Sequence, residues 1–286
     1  MSSPTDQATS SRILRLRLRA HFGDGVPEPP PWPESALRVI RYIDREDCEV
    51  RGLARVIRGE AEVADQVLRL ARTAWYMTRE PVASVEQAIR VLGLRAIREM
   101  TTITASKRSV FEARLRERRV AELFRQSLGA GFLAREIAIA HGWDEHEAFL
   151  GALFHRAGAA LTLAHMARLG AGLQPPTQAL VAELLAAYEA PMSQALARAW
   201  ALPEGVRLSL AHWADDVGAE RVPHAALVTQ LARAVALRLE SRADFATMRQ
   251  GLDAEPALVR LNVFPDVVED LLLRREEFAQ IVEAAS

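Results

Sequence analysis

Residues 147–158 read Glu147-Ala148-Phe149-Leu150-Gly151-Ala152-Leu153-Phe154-His155-Arg156-Ala157-Gly158. Apolar residues cover almost the whole circumference of this segment, so as a helix it belongs inside a core rather than on a surface. A histidine and an arginine stand side by side within it, two residue types that rarely enter a core without a reason.

The flanking sequence is helical in the same way. From Glu34 onward nearly every segment has helical rather than strand periodicity. Ser35 to Asp44 places Leu37, Ile40 and Ile43 on one side, and Val50 to Ile57 repeats the pattern. Ala61 to Met77 carries a broad apolar face. Ser84 followed by Gln87 is a capping-box signature that opens the next helix, which Gly93 interrupts. The run from Ala113 to Ala140 is long, with an arginine-rich first half, and stops at His141-Gly142. Asp144 is placed to cap the buried central segment. Beyond the loop at 170–176, the segments 177–189, 192–201 and 204–214 read as short helices separated by Pro191 and Pro203, followed by 225–239 and 266–285. Convincing strands are absent, and the expected fold is all-α: a multi-helix bundle with an N-terminal helical subdomain and a central core.

With 286 residues the chain can bury a sizeable core. A net charge of −1 gives it no overall electrostatic footprint for nucleic acid or anionic membrane. One cysteine, Cys48, excludes an internal disulfide framework and a cysteine-rich zinc site, and fits a reducing cytoplasm. No apolar run is long enough to insert in a membrane. Residues 1–11 are rich in Ser and Thr and are expected to be disordered. The leucine–arginine alternation of residues 13–19 is open to three readings: an amphipathic helix, a lone strand or a docking arm. The boundaries expected are an arm and linker over 1–28, the main domain over 29–235, and helices over 236–286 packed on that domain.

Four fragments, in order, carry a family resemblance. Ser84-Val85-Glu86-Gln87-Ala88-Ile89-Arg90-Val91-Leu92-Gly93 is similar to the s-x-x-x-A-I-x-x-L-G helix of the HDOD domain. Upstream, Val67 to Ala74 resembles its L-L-x-x-A-N-S-A segment, with Arg72 and Thr73 replacing Asn and Ser. Downstream, residues 147–158 resemble A-F-x-x-G-L-L-H-x-x-G, and Trp200-Ala201-Leu202-Pro203 resembles W-x-L-P. The likeness spans roughly residues 30 to 235. It implies an all-helical output module of bacterial signalling, a relative of the metal-dependent HD phosphohydrolases that does not itself catalyse.

In HD hydrolases a divalent metal generates hydroxide and polarises a phosphorus–oxygen bond. Carried over by position, its first histidine falls at Gln126, its His-Asp pair at His155 and Arg156, and its last aspartate near Arg233. Only His155 is a credible ligand. A guanidinium about 4 Å from a divalent ion costs roughly 8 kcal/mol at an effective dielectric near 20, and arginine does not deprotonate to escape it. The expectation is therefore no enzyme and no cofactor. One alternative stays open: His155, Glu189 and His212 as a three-ligand site, against their being a core histidine, a helix-end carboxylate and a half-exposed histidine.

No phosphate loop, nucleophile elbow or H-E-x-x-H helix is present. The resemblance therefore implies a chain that binds other signalling proteins, with a groove between helices 34–110 and 120–235, lined by Arg72, Trp75, Gln126 and Arg156, as the expected working surface. The runner-up is a nucleotide or anion sensor in which Arg156 recognises a phosphate. Association into a homodimer is left open.

Overall fold

Apolar stripes at helical spacing become helices throughout the computed structural model, which describes residues 4–23, 25–76, 81–111, 118–241 and 243–286. No strand occurs among the described residues. The N-terminal subdomain comprises α2 (Glu34–Ile43), α3 (Val50–Arg58), α4 (Ala61–Ala71) and α5 (Val85–Ser106), all following α1 (Pro4–Phe22). The capping box forms as its sequence requires: the Ser84 hydroxyl accepts from the Gln87 backbone N–H, and the Gln87 side chain accepts from the Ser84 N–H. Gly93 kinks α5, with φ of 76°, a conformation costly for any residue with a Cβ.

The core helices are α6 (Arg118–His141), α7 (Glu145–Phe154), α8 (Ala157–Leu169), α9 (Gln178–Ala199), α10 (Glu204–His212) and α11 (His224–Glu240). The quoted stretch forms α7 and the start of α8. Residues Ala148 to Phe154 are all buried, and α7 is enclosed by α6, α10 and α11. Asp144 caps it, accepting from the Glu147 N–H at 2.8 Å.

Three expectations need correction. The N-terminal segment, expected to be disordered or arm-like, forms α1 from Pro4. Leu14, Leu18 and Phe22 recur every four residues and are buried against α8, so the helical reading of the leucine–arginine run prevails. The arginines on its flank reach neighbouring groups: Arg15 makes a two-pronged pair with Glu183, and Arg17 donates to the Leu169 carbonyl. Secondly, Pro191 does not divide α9. It removes one backbone donor, yet Leu180 and Leu184 before it and Met192 and Leu196 after it are buried together, which holds the two halves in line. Thirdly, the C-terminal helix breaks at Arg274 into α14 (Pro265–Leu273) and α15 (Arg275–Ala285), which follow the short α12 (Phe245–Arg249) and α13 (Pro256–Leu261). The arginine-rich residues 112–117 lie outside the described residues.

The helices after residue 236 share the core. Phe278 of α15 lies against Gly129 and Ala236, and Gln66 donates to the Ala285 carbonyl at 3.3 Å. The Gly23–Pro33 linker is pinned too: the Trp200 indole donates to the Pro30 carbonyl at 2.8 Å, and Trp32 rests on Trp200 at 4.3 Å between ring centres. No helix of the described residues is long and apolar enough to cross a membrane.

Candidate functional site

The site is built where α7 ends. His155 is the C-cap of α7 and Arg156 the N-cap of α8, so the chain turns at this pair and sends the two side chains different ways. His155 points inward and is fully buried. One ring nitrogen, Nδ1, bonds the Ala152 carbonyl at 2.6 Å, which makes it the donor and leaves Nε2 bare; Nε2 is buried and has no hydrogen-bond partner. The edge of the ring meets Trp213 at 5.0 Å. Burial pushes the imidazole pKa down to about 3, the backbone bond opposes this, and the cations of Arg156 and Arg233 push it further down.

Arg156 and Arg233 both lie over Trp213, at 5.3 and 5.8 Å from its ring centre. Glu189 of α9 is 3.4 Å from the Arg156 Nε, within ion-pairing range, but neither atom is aligned for a hydrogen bond. Burial raises the Glu189 carboxyl pKa, while Arg156 and Arg233 pull it down. Burial, and then Arg156, lowers that of Arg233. Gln126 faces the same region from α6 and shares a cavity of about 420 Å³ with Arg156. Arg119, Glu122 and Gln178 complete the polar side of this cavity. Leu123, Leu163, Val181 and Leu185 form its apolar side.

Three of the sequence-derived assignments change. His212 turns to Asp215, 2.7 Å away, on the half-exposed end of α10, and does not join His155 and Glu189. Among the described residues no three His, Cys, Asp or Glu side chains are placed to hold a metal ion together. Trp75 and Arg72 do not share a groove with Gln126 and Arg156. The turn after α4 sends Trp75 towards the C-terminal helices, where the Arg274 guanidinium stacks on it at 3.8 Å, and Arg72 donates to the Val82 carbonyl at 3.0 Å. Trp75 instead borders a separate cavity of about 410 Å³ with Tyr76, Arg95 and Arg135.

That second cavity lies beside a feature the sequence reading passed over. Glu99 of α5 and Arg135 of α6 form a buried ion pair at 2.7 Å, their side chains 0% and 7% exposed. Arg135 also bonds Glu136 at 2.8 Å. The signal was present: Glu99 falls on the stripe of Ala96, Met100 and Ile103, and Arg135 stands between Phe132 and Ala138, all buried.

The donor set around His155 does not fit a divalent metal. One neutral nitrogen is available, the Glu189 carboxylate lies in ion-pairing range of Arg156, and the guanidiniums of Arg156 and Arg233 share the Trp213 ring that meets His155.

The chain belongs to the HDOD family, whose model matches residues 30–215. Its fold is similar to that of a protein from Shewanella amazonensis SB2B proposed to be a metal-dependent phosphohydrolase: TM-score 0.70, 19% identity, covering 97% of this chain and all of that one. It is also similar to an HDOD domain protein of unknown function from Geobacter sulfurreducens, with TM-score 0.63, 17% identity and 97% of each chain covered. A proposed signal transduction protein from Marinobacter aquaeolei VT8 matches with TM-score 0.60 and 19% identity, over 98% of this chain and 66% of that one. An uncharacterized protein of Treponema pallidum (strain Nichols) is 22% identical over 200 residues, 66% of this chain and only 38% of its own length.

The state of His155 has a measurable consequence. The imidazole titrates near 6.5 when unfolded and near 3 when folded, so between those values the unfolded chain binds the extra proton. This contribution to stability is complete above about pH 6.5 and declines as pH falls, by about 1.4 kcal/mol per unit. The loss expected from this residue between pH 6.5 and 5 is about 2 kcal/mol. His155→Asn, which keeps a donor for the Ala152 carbonyl, should show a pH slope shallower by about one proton in urea titrations. An unchanged slope would mean that His155 is not held neutral.

Proposed function

We propose that this chain is a signalling regulator that works without a metal and without turnover, by binding other signalling proteins. Membership of the HDOD family supports a regulatory role. The observation that carries the finer reading is the Arg156–Trp213–Arg233 stack beside a neutral His155, which puts two permanent cations at the place of metal chemistry. Loss of catalysis leaves recognition as the use of the fold.

The test is elemental analysis of the purified protein after incubation with manganese, iron or cobalt, together with an assay of phosphodiester and phosphomonoester hydrolysis. Less than about a tenth of an equivalent of metal and no hydrolysis above blank are expected, a threshold far below the full occupancy that catalysis by a bound ion requires. Stoichiometric metal with turnover abolished in His155→Ala would overturn the proposal.

A second reading, an anion sensor, is favoured by the cavity next to Arg156, which combines two guanidiniums and two carboxamides with one carboxylate, Glu122. Both readings leave a regulator; they differ in whether its input is a protein or a small molecule.

A further inference from the structure

Beside the cavity at Arg156 lies a second one, of about 460 Å³, which shares Arg119, Leu163 and Val181 in its lining and extends along α8 to Met166 and to Leu14 of α1. The two halves differ in chemistry. The first holds Arg119, Arg156, Gln126 and Gln178, with Glu122 as its one carboxylate among the described residues. The second is walled by Leu14, Leu163, Met166, Leu173 and the prolines at 175 and 176, with Gln174 and the shared Arg119 as its polar groups. Each has a volume in the range of small-molecule sites, and they adjoin at Arg119, Leu163 and Val181, which sets a guanidinium-bearing lining beside an aliphatic one.

Among the described residues the lining of the first cavity carries two guanidiniums, Arg119 and Arg156, and one carboxylate, Glu122. Glu189 pairs with Arg156, and Arg233 shares the Trp213 ring with Arg156. The Arg156 Nε is buried beside Glu189 and makes no hydrogen bond to it, so an anion in the cavity would be met by the other nitrogens of the guanidinium. Arg156 also occupies the N-cap position of α8, without a side-chain cap bond, at the helix end where the dipole favours negative charge. Among the described residues neither cavity is lined by an aromatic ring, so a nucleobase would find no stacking partner there, whereas a hydrocarbon chain would find aliphatic side chains.

We infer that the adjoining cavities bind an anionic amphiphile, its carboxylate or phosphate held by Arg156 and Arg119 and its aliphatic chain laid along Leu163 and Val181 towards Met166 and Leu14. The inference rests on the anion-sensor reading and gives it a ligand class. Leu14 belongs to α1, so occupancy would be felt directly by the helix that Arg15 and Arg17 fasten to the core.

Calorimetric titration of the whole protein tests this with dodecanoate, dodecyl phosphate, dodecanol, inorganic phosphate and adenosine monophosphate, the amphiphiles below their micellar concentrations. Saturable one-to-one binding of dodecanoate or dodecyl phosphate is expected, at least ten-fold tighter than dodecanol or inorganic phosphate; the tighter of the two identifies the head group. Arg156→Gln should weaken the anionic amphiphiles at least ten-fold and leave dodecanol unchanged. Arg119→Gln, at an exposed position, should act in the same direction and serves if Arg156→Gln does not fold. Adenosine monophosphate or phosphate binding as tightly as the amphiphiles would overturn the amphiphile and leave anion sensing intact. Binding of none of the five would overturn both, and amphiphile binding unaffected by either variant would place it elsewhere.

Discussion

Arg135→Met is expected to cost about 3–5 kcal/mol of stability, because it leaves the buried Glu99 carboxylate without its cation. Desolvation already raises the Glu99 pKa, and Arg135 is the main force holding it down. Without Arg135, burial acts unopposed by that charge, and Glu99 takes up a proton on folding over a wider pH range. The sign follows: a carboxyl with a raised folded-state pKa binds its proton more tightly when folded, so its contribution falls as pH rises from the unfolded value through the folded one. The Arg135→Met deficit should therefore be smaller at pH 5 than at pH 8. Glu99→Met alone should cost a comparable amount, since it strands Arg135, though Glu136 retains part of that charge. The double replacement should cost much less than the sum, because two apolar side chains of similar length satisfy the junction of α5 and α6 without desolvated charge. Urea denaturation of the four proteins measures this, and additive losses would mean that the pair is not coupled.

The all-helical fold was legible because its signals are local. Periodicity, the Ser84–Gln87 box and the Asp144 cap each act within a turn or two of chain, and the structure keeps all of them. Pro191 misled for the same reason: a local breaker was overridden by the burial of Leu184 and Met192 on either side of it. The leucine–arginine run of residues 13–19 was ambiguous because alternation and four-residue spacing coincide over a stretch that short; only the groove on α8 that takes Leu14 and Leu18 decides between them. In the candidate site, the sequence pointed to His155 and Arg156 through their neighbours, and Gln126 lies near them. It could not say that His212 would turn to Asp215, nor that Trp75 would lie under Arg274, since each depends on a partner remote in chain or on a turn of one residue. Glu99 and Arg135, 36 residues apart, are visible only as two charges on apolar stripes.

Gly158→Ala is the second large effect, and it tests the geometry that holds Arg156. Gly158 is the last residue of the quoted stretch, in the first turn of α8, and its N–H donates to the Ser193 hydroxyl at 3.1 Å. A Cβ there would stand 2.0 Å from the Glu189 carbonyl oxygen and 2.4 Å from the Ser193 Oγ. The first of these is backbone, which no rotamer change can clear, so α8 and α9 must part. A loss of about 3 kcal/mol is expected, at the upper end for overpacking. Gly151→Ala supplies the comparison. Its Cβ would meet the Ser209 Oγ at 2.9 Å, a side-chain atom held by the Thr229 hydroxyl rather than backbone, and about 1 kcal/mol is expected. Separating α8 from α9 also moves Glu189 away from Arg156, because both sides of that ion pair lie within two residues of the contact or form it. In the Gly158→Ala protein the charge balance at the cavity shifts towards the cation, and a bound anion should recover part of the lost stability, raising the melting temperature by more than in the native protein. A Gly158→Ala protein as stable as the native one would show that the two helices do not meet this closely, and would remove the anchor that fixes Arg156 beside the cavity.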